Sequence, residues 1–137
     1  MTDDDIRRIL TSVRTIAVVG WSPKPDRASH RVAEFLKRKG FRVIPVNPGQ
    51  AGQEALGEVV RASLAEIGEA VDMVDIFRRS EEAGAVVDEA LAALPGLTAV
   101  WMQLGVVDEA AAARARAAGV EVVMDRCPAI EMPRLGL

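Results

Sequence analysis

Short runs of consecutive apolar residues alternate along the chain with stretches in which apolar residues recur every three or four positions. The runs predict buried β-strands at residues 15–20, 41–46, 71–77, 98–103 and 120–124. The first periodic stretch places Ile6, Ile9, Leu10 and Val13 on one face of a helix. Further helices are predicted between residues 26 and 39, from 80 to 94 and from 107 to 118.

Residues at the ends of these segments have the chemistry of helix caps. Thr2, Asp26 and Ser80 are predicted to cap helix N-termini, and Gly40 and Gly119 to end helices. Residues 49–70 predict a loop with a short extra strand near 59–60 and a helical turn at 63–67. The tail from Asp125 is short and contains two prolines, and no helix or strand is assigned to it.

Strand and helix alternate throughout, which is the pattern of a parallel sheet with right-handed crossovers. We therefore predict a single Rossmann-like α/β domain over residues 1–137. It should contain a five-stranded, mainly parallel sheet with helices on both faces.

Composition and charge narrow the classes of function. Of the 137 residues, 50% are hydrophobic and 27% charged, which favours a folded core over disorder. The net charge of −3 argues against a general partner of nucleic acids or anionic membranes. No signal segment or membrane-spanning run is visible, so we expect a cytoplasmic protein. The single cysteine excludes an internal disulfide and an all-cysteine metal site, and the single histidine argues against a histidine-rich zinc site, so no metal ligand is predicted.

Cations follow the predicted strands of this acidic chain. In open parallel sheets, ligands bind outside the carboxyl ends of the strands. Those ends deliver Lys24, Arg27, Arg78, Arg79 and Arg126, a set able to meet several phosphate charges. Backbone N–H groups of the first loop and helix are expected to add to this set. The alternative is that these side chains are only solvated.

The sequence argues against NAD and ATP as the ligand. A dinucleotide fold needs G-x-G-x-x-G after the first strand and an acidic residue at the end of the second. The first loop instead reads Gly-Trp-Ser-Pro-Lys-Pro over residues 20–25, and the second strand ends at Asn47. The phosphate-loop pattern G-x-x-x-x-G-K-[ST] is absent as well.

Four segments together resemble the small CoA-binding-domain proteins of bacteria and archaea. They are Gly20-x-Ser22-x-x-Pro25-x-Arg27-x-Ser29-His30, Val43-x-Pro45-Val46-Asn47-Pro48, Val71-Asp72-x-Val74-Asp75-x-Phe77-Arg78 and Asp125-Arg126-Cys127-Pro128. Those proteins are similar in turn to the CoA-binding domain of the succinyl-CoA synthetase α-subunit. The resemblance extends from about residue 5 to residue 132.

The resemblance implies that coenzyme A (CoA) lies across the carboxyl ends of the strands. The resemblance implies that Gly20, Ser22 and Lys24 in the first loop face the phosphates. It implies that the residues after the second strand line a slot for the nucleotide and that the residues after the third strand close over the ligand. The pantetheine part of CoA would then lie near the end of the fourth strand. We expect the indole of Trp21 to offer a stacking face. The predicted binding residues are Gly20, Trp21, Ser22, Lys24, Arg27, Val46, Asn47, Pro48, Phe77, Arg78 and Gln103. The larger synthetases carry a phosphorylated histidine in a second domain, so their acyl-CoA-forming chemistry does not carry over to this chain.

Several other residues suggest chemistry on their own. His30 has no partner in sequence that would make it a catalytic base, so a structural or ligand-binding role is expected. Cys127 beside Arg126 suggests a thiolate, although free cysteine is often a buried apolar residue. Asp72 is expected to be solvated or to cap backbone, and Asp75 to accept hydrogen bonds from its neighbours.

Three functions remain open from the sequence. The first is a module that binds CoA or an acyl-CoA and has no catalytic residue. The second is a thiol-redox or CoA-transfer enzyme that uses Cys127. The third is a CoA-responsive regulatory subunit, for which the acidic first helix would offer a surface; its protein partner is unknown.

Overall fold

A five-stranded parallel sheet forms the centre of the molecule, and the computed structural model describes the whole chain, residues 1–137. Its strands are β1 (Thr15–Val19), β2 (Arg42–Val46), β5 (Met73–Ile76), β6 (Ala99–Met102) and β7 (Glu121–Val123). They lie in the order β2-β1-β5-β6-β7, and every neighbouring pair is parallel. The two remaining strands, β3 (Glu54–Ala55) and β4 (Glu58–Val59), form a separate antiparallel hairpin.

Five α-helices cover the sheet. They are α1 (Asp3–Ser12), α2 (Ala28–Arg38), α3 (Ser80–Ala93), α4 (Glu109–Ala117) and α5 (Pro128–Arg134). Helices α1, α2 and α5 pack on one face, and α3 and α4 pack on the other. The predicted fold class, an α/β domain with helices on both faces of a parallel sheet, is confirmed.

Alternation along the strands explains why both faces are apolar. In β1, Ile16 and Val18 contact the layer of α1, α2 and α5, whereas Ala17 and Val19 contact the layer of α3 and α4. Successive side chains of a strand point to opposite faces, so a strand covered on both sides needs a continuous apolar run. This is why the strands were visible in the sequence.

The helix ends agree with the predictions in part. Thr2 caps α1 in a reciprocal arrangement with Asp5, and Gly40 ends α2 with a φ of 100°. Bonds from the backbone and side chain of Thr2 lower the pKa of Asp5 to about 2. The prediction for Asp26 is wrong, because Arg27 occupies the N-cap position of α2 and makes no side-chain capping bond.

The prediction for Ser80 is also wrong. Arg79 is the N-cap of α3, and Ser80 is the first helical residue. Its hydroxyl instead donates to the carbonyl of Gly105 at 3.2 Å and accepts from the amide of Val107 at 3.0 Å. Ser80 thereby ties the start of α3 to the loop that follows β6.

The segment between β2 and β5 contains more structure than the pattern predicted. Single helical turns occur at Pro48–Gln50 and Leu64–Glu66, and β4 occupies the region of the predicted short strand. Arg61 continues the sheet beyond β2, because its amide donates to the Pro45 carbonyl at 3.0 Å and its carbonyl accepts from the Asn47 amide at 2.9 Å. This segment covers the outer edge of β2.

The C-terminal tail forms α5, which was not predicted. Pro128 opens this helix, where its missing N–H group costs nothing, and Pro133 lies inside it. The helix packs its Met132 side chain into the layer shared with α1 and α2. No helix of the protein has both the length and the apolar composition needed to span a bilayer.

Candidate functional site

The order of the strands creates a crevice between β1 and β5. From β1 the chain passes through α2 to β2 on one side, and from β5 it passes through α3 to β6 on the other. Because α2 and α3 cover opposite faces, the loops after β1 and β5 separate at the carboxyl edge of the sheet. Ligands of open α/β sheets bind at such a switch point.

A cavity of about 340 Å³ opens at this crevice. Its lining residues are Gly20, Ser22, Lys24, Arg27, Ala28, Ser29 and Phe77. Five of the predicted binding residues are therefore brought together in one cavity. Ala28 and Ser29 were not predicted, although Ser29 belongs to the motif that carried the resemblance.

Gly20 lets the loop after β1 pass close to the end of β5. Its φ of +87° is one that side chains other than glycine rarely adopt. A Cβ atom at this position would lie 3.1 Å from the carbonyl oxygen of Phe77. Glycine is thus required here both by conformation and by space.

The N–H groups of the loop do not point at a ligand as expected. The amides of Gly20 and Trp21 both donate to the carbonyl of Val46, at 3.0 and 3.3 Å. The amide of Ser22 donates to Ser29 Oγ at 3.0 Å, and that of Lys24 donates to Ser22 Oγ at 3.2 Å. These four donors hold the loop in shape and are not free to bind an anion.

The N-terminus of α2 offers those partners. Arg27 makes no side-chain cap there, and no acidic residue lies in the first turn. The first turns of the other four α-helices all contain acidic residues. The amides of Ala28 and Ser29 lack protein acceptors, and both residues line the cavity. The positive end of the α2 dipole is therefore uncompensated at the cavity, which favours an anion.

The five strand-end cations differ in how far their charges are already matched. Lys24 and Arg27 are exposed and make no ion pair. Arg78 lies 3.8 Å from Glu82. Arg79 is bound by Glu82 at 2.9 Å, which raises its pKa, and Arg126 by Glu131 at 2.9 Å. Lys24 and Arg27 are thus the most available cations.

The remaining predicted residues do not line the cavity. Asn47 shapes the loops, because its Nδ2 donates to the Trp21 carbonyl at 2.7 Å and its Oδ1 accepts from the Gly49 amide at 2.9 Å. Val46 is buried and Pro48 is exposed beside it. Gln103 is buried, and its Oε1 atom has no hydrogen-bond partner.

Trp21 is 4% exposed and its ring stacks on that of His30, with centroids 5.8 Å apart and an angle of 28° between planes. His30 Nδ1 bonds the carbonyl of Ser22 at 2.9 Å, and its Nε2 bonds Glu34 Oε1 at 2.9 Å. The stacked rings of Trp21 and His30 are thus joined to the loop through the Ser22 carbonyl. The imidazole covers one face of the indole that was predicted to stack on the ligand.

The two strand aspartates behave differently. Asp72 accepts from the amides of Arg14 and Thr15, both at 2.8 Å, and so anchors the start of β1. The prediction for Asp75 is wrong, because its fully buried carboxyl oxygens have no hydrogen-bond partner. It lies between Val18 and Trp101 in the sheet. Burial raises the pKa of the Asp75 carboxyl well above its usual range.

The fold and the cavity together define a Rossmann-like protein with a cavity at the switch point of its sheet. Comparison with known families makes the class more specific. Residues 14–133 match the model of the CoA binding domain family. Because the match covers most of the chain, the protein belongs to this family, and the resemblance seen in the sequence is confirmed.

The chain is also similar to individual proteins over nearly its whole length. An uncharacterized protein of Bacillus subtilis strain 168, YneT, is 41% identical over 123 residues, covering 90% of this chain and 88% of the relative. The solved structure of cell-free ID.343 from Thermus thermophilus has a TM-score of 0.91 at 38% identity, covering 98% of this chain and 99% of that one. A hypothetical protein from Pyrococcus horikoshii OT3 has a TM-score of 0.91 at 36% identity, covering 100% and 94%.

Proposed function

We propose that this protein binds coenzyme A or an acyl-CoA at the carboxyl edge of its sheet and has no catalytic activity. Membership of the CoA binding domain family supports the ligand. One observation supports its placement: the uncapped N-terminus of α2 and the unpaired Lys24 and Arg27 meet in one cavity at the β1–β5 switch point. The phosphates of the ligand bind in this cavity.

Two kinds of donor hold the phosphates in this proposal. The free amides of Ala28 and Ser29 donate along the axis of α2, as at other helix N-termini that bind phosphate. Lys24 and Arg27 supply charge from the cavity rim, where charge-assisted bonds to phosphate are stronger than neutral ones. Arg78, whose nearest carboxylate is 3.8 Å away, closes the site from the β5 side.

The rest of the ligand follows the edge of the sheet. The nucleotide lies in the slot formed by Val46, Asn47 and Pro48, at the end of β2. The pantetheine arm runs in the opposite direction, past Phe77 towards Gln103 at the end of β6.

The features at the end of β2 support CoA over NAD. In NAD sites a carboxylate at that position binds the ribose hydroxyls. Here the position is Asn47, and its amide is already bonded to Trp21 and Gly49. The loop after β1 also carries Pro23 and Pro25, which lack N–H groups and hold the loop away from the conformation of a glycine-rich turn.

The side chains near the site support binding without chemistry. Cys127 is 6% exposed, and it packs among apolar residues of the α1, α2 and α5 layer. His30 has both ring nitrogens engaged with Ser22 and Glu34, so neither nitrogen is free to take a proton from a substrate.

Calorimetric titration of the protein with CoA, dephospho-CoA and NAD tests this function. We expect one CoA per chain and an affinity for NAD at least about tenfold lower, a difference of 1.4 kcal/mol. Dephospho-CoA lacks the 3′-phosphate but keeps the pyrophosphate, so the difference between its affinity and that of CoA measures the contribution of the 3′-phosphate. Binding of NAD as tightly as CoA, or no binding of CoA, would contradict the proposal.

A further inference from the structure

Two serine hydroxyls at the cavity accept hydrogen bonds from the backbone and donate none to the protein. Ser29 Oγ accepts from the Ser22 amide at 3.0 Å, and Ser22 Oγ accepts from the Lys24 amide at 3.2 Å. A serine hydroxyl carries one proton to donate in addition to the lone pairs that accept. Both O–H groups are therefore left without an acceptor in the protein.

The cavity is the space in which these two protons can find an acceptor, because both serines line it. Ser29 is 5% exposed, so its hydroxyl has little solvent around it apart from the cavity. A buried polar group without a hydrogen-bond partner costs free energy. Water meets this need in the free protein, and a ligand that displaces the water must supply an acceptor in its place.

The other polar groups of the cavity are donors as well. Its polar side chains are the two serine hydroxyls and the cations Lys24 and Arg27, with no carboxylate and no carboxamide among them. The amides of Ala28 and Ser29 add two donors that have no acceptor in the protein. The matching ligand group must accept several hydrogen bonds at once and carry negative charge, which is the chemistry of an ionised phosphate.

We propose that the hydroxyls of Ser29 and Ser22 donate to the pyrophosphate of CoA, and that the Ser22 and Lys24 amides orient them for this role. The inference rests on the proposed function and adds the Ser29 side chain to the site. The loop after β1 then acts on the phosphate indirectly, because each amide donates to a hydroxyl and the hydroxyl donates to the ligand. Hydrogen bonds arranged in such chains strengthen one another.

The order of the strands favours the pyrophosphate over the 3′-phosphate as the acceptor. The cavity lies where β1 and β5 are neighbours, between β2, where the nucleotide is placed, and β6, towards which the pantetheine arm runs. The pyrophosphate is the part of CoA that joins these two ends, whereas the 3′-phosphate belongs to the nucleotide. The hydroxyls should therefore matter equally for CoA and dephospho-CoA.

Calorimetry of Ser29→Ala with both ligands tests this contact. Loss of one hydrogen bond to a charged group should weaken the binding of CoA and of dephospho-CoA alike, by roughly 10- to 100-fold. Ser12→Ala is the matched control, because it removes a hydroxyl that donates to the Ile9 carbonyl at 3.1 Å within α1, and its affinity should equal that of the wild type. Unchanged affinity in Ser29→Ala, or a loss seen with CoA alone, would overturn the inference.

A double-mutant cycle separates direct donation from an effect on Lys24. Ser29 also holds the Ser22 amide, so a purely structural role would act by moving the loop that carries Lys24. In that case Ser29→Ala would have no further effect in a protein that already lacks the Lys24 side chain. Direct donation predicts that Ser29→Ala still weakens CoA binding by at least about fivefold in the Lys24→Ala background. No further loss would overturn the inference.

Ser22→Ala is the second variant, and a thermal melt shows whether each variant is folded. If Ser29→Ala does not fold, the same titrations of Ser22→Ala decide: a loss of similar size for both ligands supports the inference, and unchanged affinity overturns it. A wild type that binds CoA while the serine variants bind it equally well leaves the proposed function intact. A wild type that does not bind CoA at all would overturn the proposed function itself.

Discussion

Lys24 and Arg27 stand apart from the other strand-end cations because no carboxylate matches their charge. Arg79 and Arg126 carry the same charge but are bound by Glu82 and Glu131. A cation with a carboxylate partner must give up that bond before it can bind phosphate, so its net contribution to affinity is smaller. At the scale of the residue, ligand recognition therefore depends on which charges are left free.

Replacing Lys24 tests this point. Lys24→Ala should weaken CoA binding by about 1–3 kcal/mol, roughly 5- to 150-fold, because one charge-assisted contact to phosphate is lost. Arg116→Ala removes the same charge from the exposed surface of α4 and serves as the control in calorimetry. Equal affinities for the two variants would mean that Lys24 is only a solvated side chain.

Asp75 illustrates a buried group that stability measurements can detect. Its pKa is raised by burial in the folded chain, so it stays protonated there while the unfolded chain ionises above its ordinary value of 3.8. The free energy of unfolding therefore falls as the pH rises from about 4, until the folded carboxyl itself ionises. Below pH 4 both states are protonated and this loss is absent.

Asp75→Asn should remove this dependence. Thermal melts from pH 4 to 8 should show the variant gaining stability relative to the wild type as the pH rises. Asp72→Asn is the matched control: its amide oxygen can still accept the two amides at the start of β1, but these bonds lose the help of the negative charge, so the replacement should destabilise at neutral pH by about 1 kcal/mol. If Asp75→Asn instead lost stability relative to the wild type as the pH rises, the carboxylate of Asp75 would have to have a stabilising partner, which would contradict this prediction.

At the scale of the element, the site depends on how closely the loop after β1 approaches the end of β5. Gly20 makes this approach possible, and the same loop is held to β2 through the carbonyl of Val46. Gly20 thus connects the end of β1 with the ends of both β2 and β5. The free N-terminus of α2 is placed beside them because α2 begins only eight residues after Gly20.

Gly20→Ala separates packing from conformation. The new Cβ would meet the backbone of Phe77 at 3.1 Å, in addition to the strain of a positive φ, so both stability and CoA affinity should fall. We expect a loss of stability of about 1–3 kcal/mol. Gly119→Ala has a similar φ of +82° with no atom near its Cβ, and it should cost stability alone. Unchanged CoA affinity in Gly20→Ala would indicate that the ligand does not use this junction.

At the scale of the whole molecule, the sequence predicted the features that follow from periodicity. The strands were predicted because burial on two faces requires unbroken apolar runs, as in β1 and β6. Features set by tertiary contacts were not predicted. The hydroxyl of Ser29 accepts the Ser22 amide, and α5 forms despite Pro133 because it packs on α1 and α2. The burial of Asp75 depends on the two strands that flank β5. None of these leaves a local pattern.

A crystal structure of the protein with CoA shows where the ligand binds. We expect the phosphates in the cavity between β1 and β5, within hydrogen-bond distance of the Ala28 and Ser29 amides and beside Lys24 and Arg27. We also expect the pantetheine arm to be directed towards Gln103. CoA bound away from the carboxyl edge of the sheet, or at that edge with no phosphate at the N-terminus of α2, would contradict the proposed function.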